Sequence, residues 1–331
     1  MPQQTTQQAW GYQTQQSMPR SATPQSVDQS VYPIVQITLP RPELAPDEVL
    51  VENQAIGINP VDWKFIQANP LNWPARHIPG VDGAGIVVAV GSLVDAALIG
   101  QAVAYHTALK HNGSFAQFTA VNMHRFMRLP HKMSASLAAA LPCPMLTAWQ
   151  AAEKIPVKAG ARVLVAGLGA VNKILVQLLA QRGFVVDVLS RSMSESQAQM
   201  LGIHQIYRQL SAVDATYFAA FDAIGPKSAA QLVPFLQANG HIVCIQGRIE
   251  QPVDAPFTRT ISYHEIALGA LHDFGEQAAW QTLMLAGEAL LEQVAKHTLH
   301  ITPPHCVEFS QLPRALAFSE QSKEKMVVLA N

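Results

Sequence analysis

The chain has 331 residues, 49% of them hydrophobic and 14% charged, with a formal net charge of -1. That is more chain than one hydrophobic core usually organises, so two globular domains are expected. It offers neither a basic face for a phosphate backbone nor a polybasic stretch for an anionic membrane, which argues against nucleic acid and lipid as partners.

The glutamine-rich start lacks the positively charged segment and apolar core of a secretory signal. It reads as a polar lead-in, with residues 1–7 and about 14–30 loosely ordered around one short strand, QAWGYQ. From about Pro40 to His131 the pattern is short and alternating: EVLVENQAIGI, GAGIVVAVG, QAVAYH and FAQFTAV, separated by Pro, Gly and the turn HNGS. This texture predicts a small β-barrel. From about Ser134 the period lengthens, and SASLAAALPCPMLTAWQAAEK predicts helix broken at its prolines. An alternation follows: strand RVLVAG, helix AVNKILVQLLAQRG, strand FVVDVLS, helix around SESQAQMLG, strand YFAAFDAIG, helix SAAQLVPFLQANG, strand HIVCIQG. Strands so continuously apolar predict a parallel sheet covered by helices on both faces. ISYHEIALGAL predicts one more strand. Glu276 to His297 predicts a long helix whose Trp280, Leu283, Met284, Gly287, Leu290, Leu291 and Val294 form a core-facing stripe. The tail ends in MVVLA, a strand able to rejoin the first domain. No apolar run reaches the roughly 18 residues of a membrane helix. Cys143, Cys244 and Cys306 are odd in number and far apart, which fits neither a disulfide framework nor a metal knuckle and points to a reducing cytoplasm.

VLVAGLGAVNK, Val163 to Lys173, is strand, glycine turn and helix in the context a dinucleotide loop requires. In such a loop the first glycine makes the turn, the second admits the pyrophosphate and the third lets helix and strand pack closely. Gly167 and Gly169 fill the first two roles; Asn172 stands at the third, where it is expected to be a packing variation. Two candidates then compete for the ribose end of the cofactor. Asp187, about 20 residues after the first glycine, would suit the 2'-hydroxyl of NAD, whereas Ser190, Arg191 and Ser192 would suit the 2'-phosphate of NADP. Asp187 lies about 10 Å back along its strand, so the SRS segment is favoured; a solvated surface arginine is the competing reading of Arg191.

GINPVDWK (Gly57–Lys64), PGVDGAGIVVAVG (Pro79–Gly91), NGSFAQF (Asn112–Phe118) and LTAWQA (Leu146–Ala151), followed by the glycine loop, resemble the medium-chain dehydrogenase/reductase superfamily in its zinc-free, quinone oxidoreductase-like branch, to which zeta-crystallin belongs. The resemblance runs from about Pro40 and departs at Asn172 and at the glutamine-rich start. It implies a GroES-like β-barrel domain, set at residues 1–139 and 274–331, and a Rossmann domain with a doubly wound parallel sheet, set at 140–273. It further implies a cleft for NADPH and substrate, and a homodimer joined through the last Rossmann strand, around Ser262 to Leu271.

The resemblance also assigns site residues. Asn59 and Thr147 would lie by the nicotinamide; Gly167, Gly169, Ala170 and Val171 on the pyrophosphate; Gly225, Gln246 and Gly247 at later strand ends. Beside these, Lys64 is the polar side chain near Asn59 that could donate to a substrate oxygen and so serve catalysis with it; a barrel-surface lysine is the competing reading. Zinc-dependent members hold their metal with a cysteine where this chain has Asn59, a histidine where it has Val81, a neighbouring glutamate where it has Asp82, and a cysteine where it has Cys143. One usual ligand of the set survives, and the scattered histidines form no paired ligand signature, so no metal is expected. Without a Lewis acid, alcohol oxidation is disfavoured. The expected activity is NADPH-dependent reduction of a quinone or α,β-unsaturated carbonyl, whose conjugated oxygen accepts the incoming charge. A catalytically weak redox sensor or crystallin-like structural protein is the alternative from another class, and an alcohol dehydrogenase a further one.

Overall fold

The computed structural model of the protein describes residues 5–14 and 32–330. Most of the lead-in expected to be loose lies outside these residues. Thr6 and Gln7 do not: they open the first strand. In chain order the first elements are β1 (Thr6–Tyr12), β2 (Ile34–Pro40), β3 (Glu48–Ile58), α1 (Pro60–Ala68), β4 (Asp82–Val90), β5 (Ala102–His106), β6 (Phe118–Asn122), β7 (Phe126–Arg128), α2 (Ala135–Ala139) and α3 (Pro142–Glu153). Then come β8 (Arg162–Ala166), α4 (Ala170–Gln181), β9 (Val185–Leu189), α5 (Glu195–Met200), β10 (Gln205–Tyr207), β11 (Tyr217–Asp222), α6 (Pro226–Leu232), β12 (Leu236–Cys244) and β13 (Ser262–Glu265). The chain closes with α7 (Leu271–Phe274), α8 (Gln277–Ala295), β14 (His305–Glu308), α9 (Leu312–Ser322) and β15 (Met326–Leu329).

The chain divides into two compact units, one of Met1–Cys143, Gly269–Ala295 and Thr302–Asn331, the other of Pro144–Leu268 and Lys296–Ile301. Residues 296–301, expected with the barrel, group with the second unit, where Gln177 and His300 exchange two hydrogen bonds: His300 N to Gln177 Oε1 at 2.7 Å, and Gln177 Nε2 to His300 O at 2.9 Å.

The first unit is built on a sheet in the order β14-β15-β3-β4-β5-β7, with β6 also pairing β3. Its alternating apolar residues meet inside, where Val49, Val51, Val87, Val103 and Tyr105 are all inaccessible to solvent. Strand β3 pairs with β4 through two register shifts, at Leu50/Val51 and Asn53/Ala55, which bend it as barrel strands require. The terminal MVVL does rejoin this unit: β15 runs antiparallel to β3 with Met326 opposite Ile58. That register brings Lys325 to the carboxyl end of β3, where the chain turns into α1. Helix α8 buries all seven residues of its expected stripe.

The second unit is a six-stranded sheet in the order β10-β9-β8-β11-β12-β13 with every pairing parallel. Two expectations fail here. The helix SAAQLVPFLQANG ends at Leu232, because Pro234 falls in a 3-10 turn at Val233–Phe235, and residues from Leu236 on belong to β12. The strand ISYHEIALGAL stops at Glu265, which pairs with Cys244, the last residue of β12. Among the described residues no helix is long and apolar enough to cross a membrane.

Candidate active site

In the second unit the expected cofactor residues fall on the turns after β8, β9, β11 and β12, the carboxyl edge where such sheets bind ligands. Gly167 follows β8 with φ of +79°, and a Cβ there would lie 2.7 Å from Ile224 Cγ1, so the turn requires glycine. Gly169 is the N-cap of α4, and a Cβ there would meet nothing within 4 Å. Ala170 and Val171 open the helix beside that empty space, where backbone N–H groups and the helix dipole favour an anion. At the turns after β11 and β12, Gly225 and Gly247 have φ of +151° and +87°, and Gln246 is exposed. Asp222 shapes the first of these turns: it is buried and accepts from Ile224 N at 2.9 Å, Gly225 N at 2.7 Å and Ser228 Oγ at 2.5 Å. Thr147 is buried on α3.

Asn172 does more than fill the place of a glycine. It is wholly buried, and its Nδ2 donates to Ala166 O at 3.0 Å and Gly167 O at 2.6 Å. The side chain therefore ties the helix to the two carbonyls that open the loop, while its Oδ1 has no partner. A spacer would leave those carbonyls alone, so the sequence reading of Asn172 as a packing variation understated its role.

The two candidates at β9 stand in different surroundings. Asp187 is fully buried and its oxygens are taken: Oδ2 accepts from Arg162 Nη2 at 2.5 Å, Arg162 Nε at 3.1 Å and Tyr217 OH at 3.0 Å, and Oδ1 lies 2.9 Å from His204 Nδ1. Arg191 and Ser192 are exposed, Ser190 is half-buried, and the Arg191 guanidinium has no partner among the described residues. Arg208, which sequence reasoning missed, donates to Ser190 O at 3.1 Å and Met193 O at 2.7 Å and so fixes the backbone that carries Arg191. Nothing local in the sequence pairs it with a segment that far upstream.

In the first unit a second polar cluster sits where β3 turns into α1. Asn59 is the N-cap of α1, with Pro60 next to pre-set the helical φ. Its backbone N–H donates to Asp62 Oδ2 at 2.7 Å, and Asp62 also accepts from Val81 N at 3.2 Å. Its side chain lies between opposite charges: Nδ2 donates to Asp82 Oδ2 at 2.8 Å, and Oδ1 accepts from Lys325 Nζ at 2.6 Å. Lys325 also donates to Ile58 O at 3.0 Å and lies 3.9 Å from Asp82 Oδ2. Cys143 N donates to Asp82 at 2.9 and 3.1 Å. Burial pushes the Asp82 carboxyl up to about 6 against the pull of Lys325 and these donors. It pushes Asp62 up to about 8, with its own N–H donors and Lys325 opposing and Asp82 adding to the rise. Burial likewise lowers Lys325, and Asp82 resists.

Lys64, expected beside Asn59, makes its contact elsewhere: its Nζ lies 5.5 Å from the centre of the Trp63 ring, and burial and the charge of Lys323 lower its pKa. The lysine that bonds Asn59 is Lys325.

Residues 45–131 match the family model of the alcohol dehydrogenase GroES-like domain. Over 227 residues the chain is 29% identical to the 2-methylene-furan-3-one reductase of Solanum lycopersicum, covering 64% of this chain and 58% of that protein. The chain thus spans little more than half the length of that relative. Over 316 residues it is 26% identical to the "Probable quinone oxidoreductase" of Schizosaccharomyces pombe, covering 91% of this chain and 94% of that one. The solved quinone oxidoreductase of Coxiella burnetii superposes with a TM-score of 0.79 over 98% of this chain and 100% of its own, at 20% identity, a likeness of fold.

Proposed function

Because the chain belongs to the medium-chain dehydrogenase/reductase superfamily, in its quinone-oxidoreductase-like branch, we propose that it is an NADPH-dependent reductase passing hydride to a quinone or α,β-unsaturated carbonyl without a metal. The acceptor class is supported by relatives named as a furanone reductase and a quinone oxidoreductase. NADPH over NADH is supported by the occupied Asp187 and the unpartnered Arg191.

The observation that carries the metal-free reading is the Lys325 ammonium, 2.6 Å from Asn59 Oδ1. A cation already stands at the residue where zinc-dependent members place a thiolate, Val81 offers only carbon, and Asp82 is engaged by Asn59 and Cys143 N. Zinc requires three or four converging donors, and these residues do not fit it. An acceptor that spreads charge onto its own conjugated oxygen needs hydrogen bonds rather than a Lewis acid.

When bound, the nicotinamide cofactor would supply the hydride. The chain's own task is to bind and orient. Gly167, Gly169, Ala170 and Val171 receive the pyrophosphate; Ser190, Arg191 and Ser192 receive the 2'-phosphate; Gly225, Gln246 and Gly247 border the cofactor; Thr147 and Asn59 hold its nicotinamide end. A homodimer through β13 is part of the reading, supported by its position at the end of the sheet with one neighbour, β12. So is a reducing, cytoplasmic setting, supported by cysteines that form no disulfide.

The test is NADPH oxidation by the purified protein with a panel of quinones and enones, with and without chelator. Turnover indifferent to chelator and faster with NADPH than NADH is expected. NADPH binding without consumption of any acceptor would favour a nucleotide-binding sensor, and activity lost together with one zinc per chain would overturn the metal-free reading.

A further inference from the structure

We propose that Lys325 is a positioning residue for this site, acting by fixing which way the Asn59 amide faces. Its consequence for turnover rests on the reading of Asn59 as a nicotinamide-side residue; the fixing of the amide does not. An asparagine side chain ends in two groups of similar size, one a donor and the other an acceptor, and only its partners decide which end lies where. At Asn59 the partners cannot exchange roles. An ammonium only donates, and Lys325 Nζ is 2.6 Å from Oδ1. A carboxylate only accepts, and Asp82 Oδ2 is 2.8 Å from Nδ2.

Turning the amide over would set an NH2 against the ammonium and a carbonyl oxygen against the carboxylate. Both contacts repel, and the place is poorly screened: Asn59 is 3% exposed and Asp82 0%. Neither partner can follow the amide. Ile58 O holds the ammonium at 3.0 Å, and Cys143 N reaches both oxygens of Asp82. The Asn59 backbone is held in turn by Asp62. Asn59 is left with one Nδ2 hydrogen and the remaining accepting capacity of Oδ1 for any ligand, and Lys325 sets where each of them points. Lys64 cannot substitute, since its Nζ lies over the Trp63 ring.

The experiment uses the full chain labelled with 15N-asparagine at pH 7.5. The Asn59 side-chain signals are identified by their loss in Asn59→Ser, and kcat and KM for quinone reduction are measured beside them. Wild type should show one pair of widely separated Asn59 amide protons. Lys325→Gln has an amide that can present either end, and loss of the ammonium that holds the Asp82 carboxyl down lets that buried acid protonate and donate as well. The pair should then broaden or double, and kcat should fall by about tenfold with KM changed less than about twofold, the pattern of a group that acts only in the transition state. Lys325→Arg, which still only donates, should keep a single pair and most of kcat. An unchanged Asn59 pair in Lys325→Gln would overturn the proposal, as would a doubled pair with kcat intact. If Lys325→Gln does not fold, Lys325→Arg decides, because a loss of kcat there with the Asn59 pair unchanged is a structural effect and refutes positioning. If wild type reduces no quinone or enone, the functional reading fails, and the amide signals alone judge whether Lys325 orients Asn59.

Discussion

Replacing Arg191 and Asp187 in turn separates a cofactor residue from a structural one. The Arg191 side chain is exposed and bonds to nothing among the described residues, so Arg191→Ala breaks no internal contact and should leave the melting temperature unchanged. What it removes is a charge-assisted hydrogen bond to a phosphate, worth about 1.5–3 kcal/mol, with the lower end apt for a group open to water. NADPH affinity should therefore fall about tenfold, a factor equivalent to about 1.4 kcal/mol, while NADH affinity stays level. Asp187→Asn should do the reverse. The carboxylate is buried and shared by Arg162, His204 and Tyr217. Breaking a buried charge pair costs about 3–5 kcal/mol, and here Arg162 is partly exposed, so hydration offsets some of the loss. The melting temperature should drop by several degrees with the ratio of NADPH to NADH affinity unaltered. Calorimetric titration with both nucleotides, beside thermal melts, decides it. A folded Asp187→Asn protein that changes its cofactor preference, with Arg191→Ala indifferent, would refute the assignment.

Asn172→Asp should destabilise more than Asn172→Gly at pH 7.5, because it sets a buried carboxylate against the carbonyls of Ala166 and Gly167. Burial and those carbonyls raise the pKa of the new acid, so its protonated form restores stability as pH falls and the deficit returns as pH rises; a gap between the two melts that ignores pH would count against the loop tie. Gly169→Val should abolish NADPH binding in calorimetry yet leave the melt within about a degree, since its Cβ meets no protein atom; retained binding would show that the pyrophosphate lies elsewhere. His272 receives Arg125 Nη1 at Nδ1, 3.1 Å away, and so donates from Nε2 to His106 Nδ1 at 3.0 Å. Burial, then the Arg125 charge, lowers His272 from 6.5 to about 4. The folded state must keep it neutral, so its stability is full above about pH 6.5 and is lost as pH falls toward 4. His272→Gln should flatten the fall in melting temperature over that window, and an identical slope would contradict the pairing.

The strands and the glycine loop were legible because their signals are local. RVLVA announces a buried parallel strand by its own composition, and Gly167 announces a turn because few other residues tolerate its φ. α8 was equally plain, its stripe recurring at helical period from Trp280 to Val294, about four turns. What escaped was set by distant partners. The sequence sets Asp187 aside by its distance along β9, but that Arg162 and His204 occupy it is visible only in the fold. Nothing local marks Lys325, and only the Met326–Ile58 register carries it to Asn59. The end of α6 differs for a local reason: Pro234 stops the helix, and the apolar run around it serves strand β12 equally well.

The bond between Lys325 and Asn59 spans 266 positions of chain, and that distance orders the birth of the site. Synthesis proceeds at about 5–20 residues per second, so Asn59, Asp62 and Asp82 leave the ribosome at least about ten seconds before the cation that balances them. During that interval the two acids have no lysine to face, and the barrel's polar end must stay hydrated or protonated. Chains halted anywhere upstream of β15 therefore share two defects: along Ala55 to Ile58 β3 has β4 on one side and lacks β15 on the other, and the carboxylates beside it lack their counter-ion. Completion of the first unit and completion of its polar cluster are then a single event, reached when the last strand docks.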